Sequence, residues 1–564
     1  MTVQKIVDGY SFSAPAATLG VLLHEGQPVP EAQVRIPLAM FNRHGLVAGA
    51  TGTGKTKTLQ VMAEALSSAG VPVFAADIKG DLTGLAAPGN GSEKLLARVG
   101  PLGQDWTATE YPVELYALGG EGHGIPVRAT VTDFGPVLLA KVLGLNQVQE
   151  ASLGLIFLYA DKQGLPLLDL KDLIELLRYL TSDEGRDELQ DIGGISTATA
   201  GVLLRSLVTL GEQGGDVFFG EPAFDPSELL RNAPDGRGVI SLLELPKLAS
   251  RPQLFSTFLM WLLAELFELL PEAGDVERPK LVFFFDEAHL LFSGASKAFL
   301  EAITQTVRLI RSKGVGVFFV TQTPKDVPDD VLAQLGSRVQ HQLRAHTPND
   351  MKALRATVGT YPVSDYDLER VLQELGIGEA IITVMNERGA PTPVAWTRLW
   401  APQASMDPVP EAQLNQRVLA SPLYSRYAEP VDRESAYELL TQRMAEAAEQ
   451  ARLAAEEEQR AKEEAEAAKQ RAKEEAEAAK QRAKEEAEAA KQRAAAEKEA
   501  ARQQAAAMRE YERQARAEQR RMEQEWARQQ REAERQRRET QKFVGSVGRE
   551  VVRGLFGILK GRRR

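Results

Sequence analysis

The sequence predicts an α/β fold built on a mainly parallel sheet, with a helical insertion and a long C-terminal helix, and three stretches predict it. "GLVAGATGTGKTKTLQVMAEALSSAG" (45–70) passes from a short apolar run through alternating glycines into a helical pattern. "PKLVFFFDEAHLLF" (279–292) and "GVGVFFVTQTP" (314–324) are continuous apolar runs that stop at polar residues. Such runs mark strands buried on both faces, as a parallel sheet covered by helices requires.

The first stretch contains Gly49, Ala50, Thr51, Gly52, Thr53, Gly54, Lys55 and Thr56, the P-loop spacing of Gly, four residues, Gly, Lys and Thr. Glycines let the backbone curl so that N–H groups and the helix N-terminus point at phosphate oxygens. Lys55 is expected to reach the β- and γ-phosphates of ATP, and the Thr56 hydroxyl to ligate Mg²⁺. The competing reading is a glycine-rich strand-to-helix turn that matches by chance. The apolar "GLVAGA" before it and the helical face of Leu59, Met62, Ala63 and Leu66 after it favour the nucleotide loop.

In the second stretch an apolar strand ends at Asp286 and Glu287, at the carboxyl end where open α/β sheets place their ligands. Asp286 is expected to bind the metal, and Glu287 to orient and deprotonate a water. Two further strand candidates, "VPVFAAD" (71–77) and "RGVISLLEL" (237–245), lie between the P-loop and this pair. That spacing favours ATPases with an added central strand. The third stretch supplies the strand, and Gln322 at its end is suited to sense the γ-phosphate or hold the water. A plain polar residue in the turn before Pro324 is the alternative.

On "NRHGLVAGATGTGKT", "VPVFAADIKGDLTGLA", "LVFFFDEAHLLF" and "VRLIRSKGVGVFFVTQTPKDVP" the chain resembles the HerA and FtsK group of nucleic-acid-translocating ATPases, most closely a HerA-like bacterial branch, over roughly residues 35–400. The resemblance implies a RecA-like (ASCE) P-loop NTPase core, a homo-hexameric ring with ATP between subunits, and DNA through its centre. It also implies an arginine donated by the neighbouring subunit, which falls on Arg311 in "RLIRSKG". Arg308 and Arg338 are further candidates, and a solvated arginine favoured by the helix dipole is the bland reading of Arg311. Larger members of the group carry an N-terminal β-barrel, whereas 48 residues precede Gly49 here.

The expected organisation is a core over 1–405 with a largely helical insertion at about 90–235, a linker over 406–432, and a charged Ala-rich helix over 433–541. The insertion rests on the helical pattern of "LLAKVLGLNQVQEASLGLIFLYADKQG" and "STATAGVLLRSLVTLG"; Arg205 in the latter is read as a surface residue, with substrate or nucleotide contact as the alternative. Between Pro430 and Gly545 there is no Gly or Pro, and "AKEEAEAAKQR" repeats three times over 461–493. An eleven-residue period gives a nearly straight Ala stripe, too small in its side chains for a firm coiled-coil seam. A solvated spacer helix is the expectation, with a weak Ala-seamed association as the alternative.

Residues 542–564 form a basic amphipathic segment with seven Lys or Arg against Glu550 alone, suited to a membrane surface, a protein partner or nucleic acid. The chain has no cysteine, which excludes a disulfide framework and a thiol nucleophile. It shows no signal-peptide pattern at its start, so a cytoplasmic protein is expected. The net charge of −11 argues against indiscriminate nucleic-acid binding but leaves room for basic residues confined to a channel. The leading expectation is thus an Mg²⁺-dependent DNA helicase or translocase. The alternatives are a nucleotide-switched or membrane-tethered scaffold and a ring that acts on polypeptide.

Overall fold

The computed structural model describes residues 3–120, 122–182, 184–190, 193–245, 252–274, 276–292, 295, 297–494 and 507–531. Its strands are β1 (Ala16–His24), β2 (Gln27–Pro37), β3 (Gly45–Ala48), β4 (Val73–Asp77), β5 (Val113–Leu118) and β6 (Ile125–Val127). They continue with β7 (Ile240–Glu244), β8 (Leu281–Phe285), β9 (Val315–Thr321), β10 (Ser337–Gln340), β11 (Glu379–Thr383) and β12 (Ala395–Leu399). Among the described residues they form one 12-stranded sheet in the order β2-β1-β12-β11-β10-β3-β9-β8-β4-β7-β5-β6. Every pairing from β10 through β3, β9, β8, β4, β7 and β5 to β6 is parallel. The pairings from β2 through β1, β12 and β11 to β10 are antiparallel.

The apolar runs become strands because both faces are covered. Phe283, Phe284 and Phe285 are all buried, and the period of two sends them to alternate faces. Phe283 and Phe285 stack at 5.6 Å on one face, where Phe74, Phe255 and Phe319 join them. Phe284 meets Phe318 on the other face, and Phe318 meets Phe41. Burial of each such ring contributes roughly 1.5–3 kcal/mol. The order places β9 between the P-loop strand β3 and the acidic strand β8, which is the added central strand of a RecA-like sheet.

At the antiparallel edge, β1 and β2 turn at Glu25 and Gly26, whose φ angles of 49° and 78° are both positive, as a two-residue type I′ turn needs. This hairpin extends the sheet through β12.

The insertion is narrower than the expected 90–235. β5 and β6 belong to the main sheet, because "VELYAL" and "IPV" are apolar enough to be buried beside β7. The helical part comprises Val131–Val142, Gln147–Gln163, Leu170–Thr181 and Thr197–Leu210 with shorter turns. The first two are separated where Gly144 takes φ 64° and Asn146 caps the next helix in a capping box with Gln149. Leu153, Ile156, Leu173, Leu176, Leu203 and Leu207 from these helices are buried in the same core as the sheet.

The segment 406–432, expected as a linker, is folded onto the body. It forms helices at Glu411–Ala420 and Tyr424–Tyr427 whose Leu414, Val418, Leu423 and Tyr427 are buried in that core. Arg128 donates to Tyr427 O at 2.9 Å, and Ser421 Oγ donates to Glu114 at 2.7 Å. The chain divides into two compact units, Met1–Glu449 and Gln450–Arg564. The first unit therefore includes the start of the Ala436–Ala494 helix, where Ala436 and Leu440 are buried and Asp172 accepts the Ser435 hydroxyl and the Tyr437 N–H. In the second unit residues 451–488 are all exposed, as an Ala stripe without large side chains predicts. Among the described residues no helix is long and apolar enough to cross a membrane. The basic segment 542–564 lies outside the described residues, as do 495–506 and 532–541 of the expected long helix.

Candidate functional site

The P-loop leaves β3 at Ala48 and enters the helix Lys55–Ser68, with Gly54 at φ 110° as its N-cap. Gly49 donates to Thr321 O of β9 at 3.2 Å, and Ala50 donates to Gln342 O beyond β10 at 2.8 Å. The loop is thus held by the strands on either side of its own. A Cβ at Gly49 would lie 2.4 Å from the Cβ of His341, so close packing as well as curvature demands glycine there. His341 is fully buried, and burial pushes its imidazole down to about 3, with the Lys55 charge adding to the effect. Its Nδ1 lies 3.1 Å from Thr53 O, a group that can only accept, so Nδ1 carries the proton and Nε2 is left to accept from Thr58 Oγ1 at 3.0 Å. A neutral histidine therefore ties the loop to the helix that follows it.

Lys55 Nζ folds back onto the loop and donates to Gly49 O at 2.7 Å and Ala50 O at 3.2 Å. Burial lowers its pKa, against the pull of Glu287 and Asp286, whose charges raise it. Thr56 is the second residue of the helix and is half-buried.

Asp286 and Glu287 follow β8 directly. Asp286 is buried, and desolvation raises its pKa, with the neighbouring Glu287 charge acting in the same direction. Its Oδ1 accepts the Glu287 N–H at 2.8 Å. Glu287 takes φ 47°, a left-handed conformation that costs a non-glycine residue roughly 1–2 kcal/mol. The turn lets Ala288 N–H reach Val320 O of β9 at 2.8 Å, which keeps the acidic pair beside that strand's end. Burial alone would raise the Glu287 carboxyl. The hydrogen bond and charge of Lys79, with the charges of His289 and Lys55, outweigh it and leave the pKa below the usual value. Lys79 Nζ is 2.5 Å from Glu287 Oε1, and His289 Nδ1 lies 3.3 Å from Oε2 without hydrogen-bond geometry.

Gln322 follows β9 and lines a cleft of about 480 Å³ with Ala50, Thr51, Lys325 and Arg344. The carboxyl ends of β3, β8 and β9 therefore bring together the loop 49–56, Asp286, Glu287 and Gln322. Arg311 is elsewhere. It begins the turn Arg311–Lys313 ahead of β9, at that strand's amino end, where it lines a second cavity of about 780 Å³ with Arg43, Arg308, Arg338 and Tyr361. Arg338 donates to Thr360 Oγ1. Arg205 is exposed on the Thr197–Leu210 helix.

Two residues of this site were not singled out in the sequence. Asp77 ends β4 beside β8 and accepts N–H groups of Lys79, Gly80 and Leu82 at 3.2, 2.8 and 2.8 Å. Burial pushes its carboxyl up to about 6, despite those hydrogen bonds. The turn it organises carries Lys79 to Glu287. The available signal was "DIKGD" after an apolar strand, an Asp at a strand end followed by a turn glycine.

The residues fit a nucleoside triphosphate with a divalent cation. A glycine loop with no room for a Cβ at Gly49 opens a helix N-terminus, an ammonium is folded against it, and a buried carboxylate stands at the next strand end but one. Fold and site together define a RecA-like P-loop NTPase. The model of the family described as helicase HerA-like C-terminal matches residues 23–488, and the chain belongs to that family of P-loop ATPases. No curated protein matches it.

Among solved structures the chain is similar to the bacterial conjugative coupling protein TrwBdeltaN70 in its unbound monoclinic form. Identity is 16%, the TM-score is 0.48, and 73% of this chain and 94% of that one are covered. The plasmid coupling protein TrwB in complex with ADP and Mg²⁺ gives 17% identity and a TM-score of 0.47 over 72% and 94%. VirB4 of Thermoanaerobacter pseudethanolicus gives 14% and 0.42 over 70% and 98%.

Proposed function

We propose that this protein is an Mg²⁺-dependent ATPase that assembles as a homo-hexameric ring and translocates or remodels DNA. One observation carries the reading: the hydrolytic residues gather at the carboxyl ends of β3, β8 and β9, while Arg311 stands at the amino end of the same β9. Seven residues of strand span roughly 23 Å. That distance from its own nucleotide site supports a role for Arg311 at a neighbour's site in a ring.

Lys55 and the loop N–H groups hold the β- and γ-phosphates. Thr56 Oγ1 and the Asp286 carboxylate would hold Mg²⁺, which when bound neutralises charge on the phosphate oxygens. Glu287 orients the attacking water and takes its proton, and Gln322 positions the same water or reads the γ-phosphate from the adjacent strand end. Replacement of Glu287 by Gln should leave ATP binding in place and abolish turnover, as measured by nucleotide titration beside phosphate release. Full turnover in that variant would refute the assignment.

A nucleotide-switched scaffold uses the same binding half, and the helix exposed over 451–488 and the basic segment 542–564 would be its tether. DNA decides between the two. A translocase shows DNA-stimulated ATPase activity and directional displacement of a blocked strand, whereas a scaffold shows neither. A truncation for this purpose should end at 449, because a cut at 430 would remove Ser435, Ala436 and Leu440 from the body.

A further inference from the structure

The residues after β4 connect two places. At one end of the 77–84 loop Lys79 holds Glu287 Oε1 at 2.5 Å. At the other, Thr83 Oγ1 donates to Gly80 O at 2.8 Å and accepts the Val409 N–H at 3.2 Å. Val409 belongs to a strap, residues 403–409, laid over this loop and over the P-loop helix. Ser405 N–H bonds Ala87 O at 2.8 Å, and a Cβ on Gly84 would come within 2.2 Å of Ser405 O. On the helix, Glu64 accepts the N–H groups of Gln403 and Ala404 at 2.9 Å each, Gln60 donates to Ser405 O at 3.1 Å, and Lys57 donates to Met406 O. The strap then continues into the helices at 411–420 and 424–427 and the start of the long helix.

We propose that Lys79 is a latch that holds the Glu287 carboxylate away from water, and that the strap at 403–409 sets this latch through the 77–84 loop. The inference rests on the ATPase reading above and deepens it. A general base needs a carboxylate oxygen within hydrogen-bond reach of the proton it takes. Here Lys79 occupies Oε1, and His289 stands beside Oε2. The Lys79 side chain is about half exposed and rides on a turn that contains Gly80 at φ 75°, and residues 78–81 are not buried, so the tip of the loop can withdraw it while Leu82 stays in the core. Thr83 is 1% exposed and its hydroxyl is bonded both to that turn and to the strap, so displacement of 403–409 is passed to Lys79 through it. Lys79 is thus a positioning residue acting through Glu287. Displacement of the strap from the 77–84 loop would release hydrolysis.

The test is steady-state ATPase kinetics on the full chain with Lys79→Met, Lys79→Arg, Thr83→Val and Glu287→Gln. Lys79→Met should raise kcat about three- to tenfold with KM for ATP unchanged, since the base is freed and the phosphate loop is untouched. Lys79→Arg should restore the low rate, because a cation again faces Glu287. Thr83→Val, close in shape but without the hydroxyl, should raise kcat part of the way. A kcat for Lys79→Met at or below that of the unmodified chain, or a raised KM that marks a phosphate contact, overturns the latch. Should Lys79→Met fail to fold, Thr83→Val alone decides, and an unchanged kcat there overturns the coupling. Failure of the underlying reading is distinct: the unmodified chain would then hydrolyse no ATP, or Glu287→Gln would keep full activity.

Discussion

The two ends of the parallel strands carry opposite chemistry. At the carboxyl ends, Asp77, Asp286 and Glu287 are buried or nearly so, the glycine loop opens a helix N-terminus, and Lys55 and Lys79 are committed to local partners. At the amino ends, Arg43, Arg308, Arg311 and Arg338 line one cavity, and the nearby His44 is driven down to about 4 by burial and by the charges of Arg311 and Arg43. A buried acidic cluster wants a cation and an ordered water, whereas the cationic cavity lies at the other end of β9, a strand that spans roughly 23 Å. The difference makes the two ends separately breakable.

The largest effect is expected at the carboxyl end. Glu287→Gln should lower kcat by about 10²–10⁴ with nucleotide affinity retained, checked by phosphate release beside equilibrium binding. At the amino end, Arg311→Ala should cost about 10³ in kcat, and an equimolar mixture of the Arg311→Ala and Glu287→Gln chains should regain measurable activity. Absence of any regain on mixing would mean that Arg311 does not act across an interface. Arg308→Ala and Arg338→Ala serve as controls for the same cavity, with effects on kcat below about tenfold if Arg311 is the donor.

A smaller effect tests the packing beneath the loop. Gly49→Ala drives a methyl into His341 and should destabilise the fold by about 1–3 kcal/mol, read as a lower denaturation midpoint.

The smallest effect concerns pH. Glu64 is buried under the strap, and burial pushes its carboxyl from 4.5 up to about 7, against the lowering effect of its two backbone hydrogen bonds. Its folded pKa exceeds its unfolded one, so the folded chain binds the extra proton between about 4.5 and 7 and stability falls as pH rises through that window. Glu64→Gln should flatten the dependence of Tm on pH there by the equivalent of roughly 3 kcal/mol. An unaltered slope would show that Glu64 is ionised in the folded chain.

Much of the site was legible because its chemistry is local. The loop 49–56 is a run of consecutive residues whose spacing is dictated by phosphate geometry, and Asp286 with Glu287 closes an apolar run that has no other way to be buried. Lys79 was within sight in "DIKGD" but carried no mark, since an exposed turn lysine is ordinary and its partner lies far along the chain. In the sequence the strap spans the end of the expected core and the start of the expected linker. Pro-rich, weakly periodic sequence gives no sign that its backbone will bond a buried glutamate on another helix.

By itself, then, the sequence determined the strand identities, the phosphate loop, the acidic pair, the exposed Ala-rich helix and the position of Arg311 one turn before a strand. Each depends on periodicity or on neighbours a few residues apart. Only the tertiary structure decided that β5 and β6 extend the sheet, that 406–440 is folded onto the body, that Lys79 meets Glu287, and that Arg311 lines a cavity at the opposite end of β9 from the phosphate loop. Those are consequences of strand order and of contacts between residues hundreds of positions apart, and no local pattern encodes them.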